Sequence, residues 1–253
     1  MAETELNPAC CSRNAVVTGE YTPKGTYTKI AGLDVYQTGD ASSKRAILLV
    51  YDVFGLASQT LQGADRLASS VNALILIPDF FEGEPIGPDV FPVDSEEKKA
   101  RAQKFMAEKA DFAKGASTML DVRKEAGEKF SSVESWGAFG LCWGGKVTAL
   151  LSGEGTLFKA AGTAHPGVLN LSEEAEKMKI PYCCLFSKED GTPEEVKAYT
   201  QALKSNGNDN VVENYLTMHH GWMGARANLQ GKENEMEYER GYNQAATFFK
   251  KHL

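Results

Sequence analysis

Trp136-Gly137-Ala138-Phe139-Gly140-Leu141-Cys142-Trp143-Gly144-Gly145 runs directly into Lys146-Val147-Thr148-Ala149-Leu150-Leu151. The first part is an apolar strand pattern, the middle is G-x-C-x-G, and the last part can begin a helix. Strand, glycine-flanked nucleophile and helix together form a nucleophile elbow. The nucleophile in such an elbow sits on a sharp, strained turn. Glycines two residues before and two after it relieve the crowding against neighbouring backbone. The better-known version carries serine; this one carries Cys142. At a helix N-terminus, N–H groups and the helix dipole favour negative charge, so the Cys142 thiol is expected to have a lowered pKa and more thiolate.

Outward from the elbow, strand-like runs alternate with helical patterns. Residues 46–51 (AILLVY) and 73–77 (ALILI) are short continuous apolar runs, as in strands buried on both faces. Between them, residues 58–71 place Leu61, Ala64, Leu67, Ala68 and Val71 on one helical face. Residues 82–92 are rich in Gly and Pro and read as an excursion. Asp94 with Glu97 predicts a capping box opening a long helical region to about residue 129, which Gly115 would divide. After the elbow come strands over 159–164, 181–186 and 211–216. Thr192-Pro193-Glu194-Glu195 is a helix start, with Thr as N-cap, Pro at N1 and Glu at N3. A last helix aligns Tyr238, Tyr242, Ala245, Ala246 and Phe249. This alternation predicts an α/β fold with a mainly parallel central sheet and helices on both faces. A single domain is expected over 1–253, with 1–25 as an N-terminal segment and 80–129 partly an insertion near the active-site mouth.

Composition narrows the function classes. The 253 residues carry net charge −7, with 42% hydrophobic and 24% charged residues. No basic cluster exceeds Lys98-Lys99, so neither a nucleic acid nor a membrane is expected as partner. No apolar run approaches the ~18 residues of a membrane span. Residues 1–8 are polar and acidic, which is neither a signal nor a transit peptide. The five cysteines, at 10, 11, 142, 183 and 184, make a poor disulfide framework and suit a reducing, cytoplasmic setting. There is no C-x-x-C, and the four histidines lack metal-ligand spacing, so no cofactor and no metal are expected. Cys10 and Cys11 read as ordinary thiols of an N-terminal segment rather than a surface redox pair, and Cys183 and Cys184 as core. Monomer and homodimer are both compatible.

A cysteine nucleophile needs a base, and the base an orienting acid. Both have candidates directly after predicted strands, on the edge where the elbow should lie. Ser187-Lys188-Glu189-Asp190-Gly191 follows one strand, and Thr217-Met218-His219-His220-Gly221-Trp222 follows the last. Asp190 competes with Glu189 for the acid role and can also serve only to shape the Asp-Gly turn. Only one adjacent histidine can face Cys142, and His220, before Gly221, is the better placed to bend inward. His165 either lines the pocket or is a satisfied structural histidine. His252, two residues from the end of the sequence, reads as solvated. Two N–H groups for an oxyanion are expected from Trp143 and from Val53, in the loop after the 46–51 strand. Asp52 either caps that turn or meets the resting thiol.

Tyr51-Asp52-Val53-Phe54-Gly55, Pro78-Asp79-Phe80-Phe81, the elbow, Glu189-Asp190-Gly191 and His220-Gly221-Trp222, taken together, resemble the dienelactone hydrolase family of α/β-hydrolases. Cys10-Cys11 and His220-Gly221-Trp222-Met223 look most like its eukaryotic, especially fungal, branch. The resemblance implies the α/β-hydrolase fold and a cofactor-independent hydrolase with Cys142, Asp190 and His220 as triad. It implies a small ester or lactone substrate, an acyl-cysteine intermediate and an enolate leaving group that helps to activate water. It also makes Asp52, Phe54, His165, Trp222 and Arg226 pocket residues. In bacterial members a glutamate stands where Asp52 does and holds the resting thiol. Two arginines there clamp the lactone carboxylate. Here Phe81-Glu82-Gly83-Glu84 has no arginine, and Arg226 stands in for the second or makes a surface salt bridge. A neutral ester, lactone or thioester fits this departure.

Overall fold

The computed structural model describes residues 8–17, 20–167 and 171–253. The acidic residues 1–7, read above as neither signal nor transit peptide, lie outside the described residues. A short helix α1 (Pro8–Cys11) precedes the sheet. The sheet has eight strands: β1 (Thr26–Ile30), β2 (Leu33–Thr38), β3 (Arg45–Val50), β4 (Leu74–Pro78), β5 (Ser135–Leu141), β6 (Ala160–Ala164), β7 (Tyr182–Ser187) and β8 (Val211–Tyr215). They are ordered β1-β2-β4-β3-β5-β6-β7-β8. The six strands from β4 to β8 are parallel to one another, and β1 and β2 add an antiparallel edge. Every residue of β4, β6 and β7 is buried, which explains their continuous apolar sequences. Cys183 and Cys184 are core, as expected.

The helices are α2 (Ser58–Val71), α3 (Glu96–Glu108), α4 (Phe112–Lys129), α5 (Trp143–Leu150), α6 (Leu171–Lys177), α7 (Pro193–Ser205) and α8 (Lys232–His252). The apolar face of α2 is buried as predicted, and Thr192 and Glu195 form the expected capping box of α7. The region between β4 and β5 differs in two ways. The cap of α3 is Ser95, whose Oγ accepts from Lys98 N, while Asp94 pairs with the Lys98 side chain. A serine one residue nearer the helix outcompetes the aspartate. Nor does Gly115 divide the region: the break falls at residues 109–111, where Asp111 caps α4 by accepting from Lys114 N at 2.8 Å. Gly115 lies inside α4 because a Cβ there would come 2.8 Å from the Trp143 ring. The glycine is an approach point, and α4 packs on α5 and β1. The β1–β2 hairpin was not among the expected strands. Its signal is Ala31-Gly32, both at positive φ (50° and 79°), the two-residue turn that joins right-twisted strands.

The elbow is built on contact. A Cβ on Gly140 would lie 2.1 Å from the Gly144 carbonyl oxygen, and one on Gly144 would lie 2.2 Å from that of Val50. Backbone carbonyls of packed strands cannot rotate aside. Gly144→Ala is therefore expected to destabilise the fold by about 3 kcal/mol, at the upper end of overpacking costs. A urea midpoint equal to that of the wild type would show that β3 and α5 are not in this contact.

Candidate active site

Cys142 joins β5 to α5 at φ 52° and ψ −108°, a conformation side chains rarely adopt. Its carbonyl accepts from Gly145 N at 2.9 Å, its N–H donates to Ala164 O at 3.3 Å, and it is buried. The strand register brings the first predicted oxyanion donor alongside. Val50 pairs with Gly140, so Val53 and Trp143, three residues beyond each, emerge at one sheet edge. The turn at Val53 is pinned through its carbonyl, which accepts from Ile86 N at 3.1 Å. Trp143 opens α5, where N–H groups have no acceptor within the helix. Its indole N–H donates to Ala110 O at 2.7 Å, and its ring packs with Tyr51, Phe80 and Phe81.

Two strands further along, β7 delivers the acid and β8 the histidine. Asp190 Oδ1 is 2.5 Å from His220 Nδ1, and its Oδ2 accepts from Ser187 N at 2.5 Å. Both side chains are buried. Glu189 turns elsewhere: it accepts from His220 backbone N at 3.0 Å and pairs with Arg13 at 2.8 Å. Of the two acids, Asp190 therefore orients the ring. Of the two histidines, His220 faces the elbow, while His219 Nε2 meets Arg226 O at 3.1 Å.

The structure adds a residue that the sequence reading passed over. Cys10 Sγ lies 3.3 Å from Cys142 Sγ and 3.1 Å from His220 Nε2. Cys10 is thus no ordinary N-terminal thiol, since it stands between the candidate nucleophile and base. The sequence hinted at this only through Cys10-Cys11 itself; the contact spans 132 residues. The segment that carries it is built in. Arg226 donates to Ala9 O at 3.3 Å, to Cys10 O at 2.5 Å and to Arg13 O. Val16 N donates to Ala225 O at 2.9 Å, and Val93 N to Cys11 O at 3.0 Å.

The electrostatics follow from this triangle. A hydrogen bond from Cys10 drives the Cys142 thiol well below its usual range, helped against the cost of burial by His220 and Arg226. The same bond, with burial, pushes the Cys10 thiol well up. Burial pulls His220 down, but the Cys142 thiolate and Asp190 outweigh it and raise the imidazole to about 10. These directions favour the charged forms of Cys142 and His220 and the protonated form of Cys10.

The remaining expected pocket residues divide. Asp52 is buried, but both its oxygens are taken by backbone: Oδ1 accepts from Phe54 N and Oδ2 from Ala225 N, each at 2.9 Å. It caps turns instead of holding the thiol, a place Cys10 has taken. Burial first, then the Cys142 charge, raises its carboxyl to about 6. Phe54 and Phe91 flank the Arg226 guanidinium, 5.2 and 5.5 Å from their ring centres. Arg226 is buried rather than in a surface salt bridge, and the carbonyls of the N-terminal segment occupy it. His165 is buried edge-on to His220, with ring centres 5.3 Å apart. It is not a satisfied structural histidine: neither ring nitrogen has a hydrogen-bond partner among the described residues, and burial holds it neutral. Trp222 is buried, stacked on Tyr215 and over Gly241. Glu84 pairs with Lys109 at the surface. His252 rests against the Phe248 ring, 3.5 Å from Asp209, with its side chain 12% exposed rather than solvated.

Cys10, Cys142 and His220 are also the one group of three donors among the described residues close enough to share a metal ion. Zinc would suit two thiolates and an imidazole backed by a carboxylate. Two thiolates on a tetrahedral zinc stand about 3.8 Å apart, however, by the Zn–S bond length. The 3.3 Å separation here is that of a hydrogen-bonded pair.

Among the described residues, no helix is long and apolar enough to cross a membrane. Comparison with known proteins agrees with the geometry. The chain is 34% identical over 251 residues to an AIM2 family protein of Schizosaccharomyces pombe, covering 96% of this chain and 98% of that one. It is 26% identical over 255 residues, 99% of each chain, to the hydrolase pyvD of Aspergillus violaceofuscus. A dienelactone hydrolase from Anabaena variabilis has the same fold, with TM-score 0.62 over 90% of this chain and 97% of that one at 10% identity. The profile of the dienelactone hydrolase family matches residues 33–253. By sequence and by α/β-hydrolase fold, the chain belongs to the dienelactone hydrolase family.

Proposed function

We propose that this protein is a cysteine-dependent hydrolase of a small neutral ester, lactone or thioester, working through an acyl-cysteine. The observation that carries this reading is the gathering of Cys142, Asp190 and His220 after β5, β7 and β8, at one edge of the sheet, with the His220–Asp190 contact at 2.5 Å. The Cys142 thiolate attacks the carbonyl carbon, and the new oxyanion is held by the Val53 and Trp143 N–H groups. As the C–O bond breaks, the leaving oxygen takes the proton from His220. Neutral His220 then removes a proton from water, which attacks the thioester and releases the acid and the thiolate. Cys10 must swing out for the acyl group to enter. A neutral acyl substrate fits because Arg226 is occupied and Glu82 and Glu84 offer a carboxylate no cation.

Two measurements test this. The rate of Cys142 alkylation by iodoacetamide, mapped by peptide mass, is expected to plateau well below pH ~8.5, the ordinary thiol value. A midpoint at that value would count against an activated thiolate. For p-nitrophenyl acetate, His219→Ala is expected to keep most of the turnover while His220→Ala loses it. The reverse order would give the base role to the wrong histidine.

A further inference from the structure

In the proposed hydrolysis Cys142, His220 and Asp190 carry the bond-making steps, and Cys10 only hydrogen-bonds the nucleophile. Yet Cys10 is held at both its backbone and its side chain. Its carbonyl is gripped by Arg226, and its neighbours Ala9 and Arg13 are gripped by the same guanidinium. Its sulfur touches both the sulfur of the nucleophile and the ring of the base. A residue meant only to fill space would not need a thiol there. Cys10 is half-buried, in contrast to the buried Cys142.

We propose that Cys10 and Cys142 are a reversible disulfide site, closed by a hydroperoxide, in which Cys10 is the resolving thiol and the bond shuts the active site. As regulation of hydrolysis this rests on Cys142 being the nucleophile; as sulfur chemistry it does not. The Cys142 thiolate attacks the terminal oxygen of ROOH. An S–O bond forms, the O–O bond breaks, and the departing alkoxide takes the His220 proton and leaves as ROH. Cys10 S–H then passes its proton to His220 Nε2, 3.1 Å away. The Cys10 thiolate attacks the Cys142 sulfur, an S–S bond forms and the S–O bond breaks. Hydroxide leaves as water with that same proton. Two thiols lose two electrons, and one peroxide becomes an alcohol and water. The sulfurs need to close only from 3.3 Å to the ~2.05 Å of a disulfide. The other thiols are poor rivals: Cys183 and Cys184 lie buried within β7, where burial pushes their thiols up. The attack also spares Cys142 from the irreversible sulfinic and sulfonic steps.

The test treats the full chain with hydrogen peroxide in the presence of a chelator, so that no metal holds the thiols. Peptide mass mapping is expected to show Cys10 joined to Cys142 with loss of two hydrogens. p-Nitrophenyl acetate turnover should fall to the level of Cys142→Ala and return fully with dithiothreitol. Cys11→Ser should behave as wild type. In Cys10→Ser, peroxide should instead drive Cys142 to sulfinic and sulfonic acid, with loss that dithiothreitol does not reverse. The proposal is overturned if wild-type Cys142 is over-oxidised without a linked peptide. It is equally overturned if Cys142 links to Cys11, or if Cys10→Ser recovers as well as wild type. A linked, reducible pair in a protein with no esterase turnover would keep the disulfide and sink the hydrolase reading. Cys142-dependent turnover with no linkage would do the opposite.

Discussion

Cys142→Ala is expected to lower kcat/KM for p-nitrophenyl acetate by at least ~10⁴-fold, the scale on which triad nucleophiles act. The alanine removes the only group that can form the acyl intermediate, and nothing near it can substitute. Cys10 is the nearest thiol, but its proton is held by its hydrogen bond to Cys142, by burial and by the Cys142 charge. Without Cys142 burial alone of these causes remains, and Cys10 sits on a four-residue helix apart from the β5–α5 turn that aims the nucleophile. The fold should be unaffected, because alanine also fits the turn at φ 52° no worse than cysteine. A variant that folds normally and still hydrolyses at wild-type rate would end the acyl-cysteine mechanism.

Asp190→Asn is expected to cost ~10²–10³ in kcat, within the range of general acid–base contributions. That is less than the ~10⁴ of the corresponding change in a serine triad. The reason lies in the order of events. A serine must be deprotonated during attack, whereas in the proposed mechanism Cys142 attacks as a thiolate favoured by the Cys10 hydrogen bond and by His220. What Asp190 supplies is ring orientation and support for the positive charge of His220. Its loss should therefore be read in pH as well as in rate. Asp190 is one of the groups raising His220 to about 10. Removing its charge lowers that value, so His220 loses its proton earlier as pH rises. The alkaline limb of kcat against pH should move to lower pH in Asp190→Asn and stay in place in Glu189→Gln. Identical profiles for wild type and Asp190→Asn would show that the 2.5 Å contact does not tune the ring.

The elements of the candidate site were legible because each is local. Buried parallel strands are written as apolar runs, and G-x-C-x-G needs its glycines where Val50 and Gly144 carbonyls pass within 2.2 Å of a missing Cβ. Asp190 and His220 could be placed because each follows a strand whose end is evident. What escaped was non-local or conformational. Gly115 reads as a breaker from composition, but the Trp143 ring makes it a packing site, and no local pattern carries that fact. Ser95 and Asp94 are equivalent caps on paper and differ only in which reaches the first helical turn. For Asp52 the turn cap and the thiol both stood open, and it is Ala225 N, 173 residues away, that claims its second oxygen. Cys10 meets its partners across 132 and 210 residues, a pairing that only the folded chain reveals.

The segment from Pro8 to Val17 has a thermodynamic character of its own. It belongs to no strand of the sheet, and its ties include hydrogen bonds to Arg226, Ala225, Gln59, Glu189 and Val93 and the Cys10 contacts with Cys142 and His220. Its detachment breaks those bonds and leaves the eight-stranded core intact. Such a unit opens at a free energy far below global unfolding. Its amides should exchange with solvent long before those of β3 or β5, and a protease should find it first. The speed of the enzyme would then be set partly by how often this strap lifts, a local melting equilibrium lying upstream of any bond made or broken at Cys142.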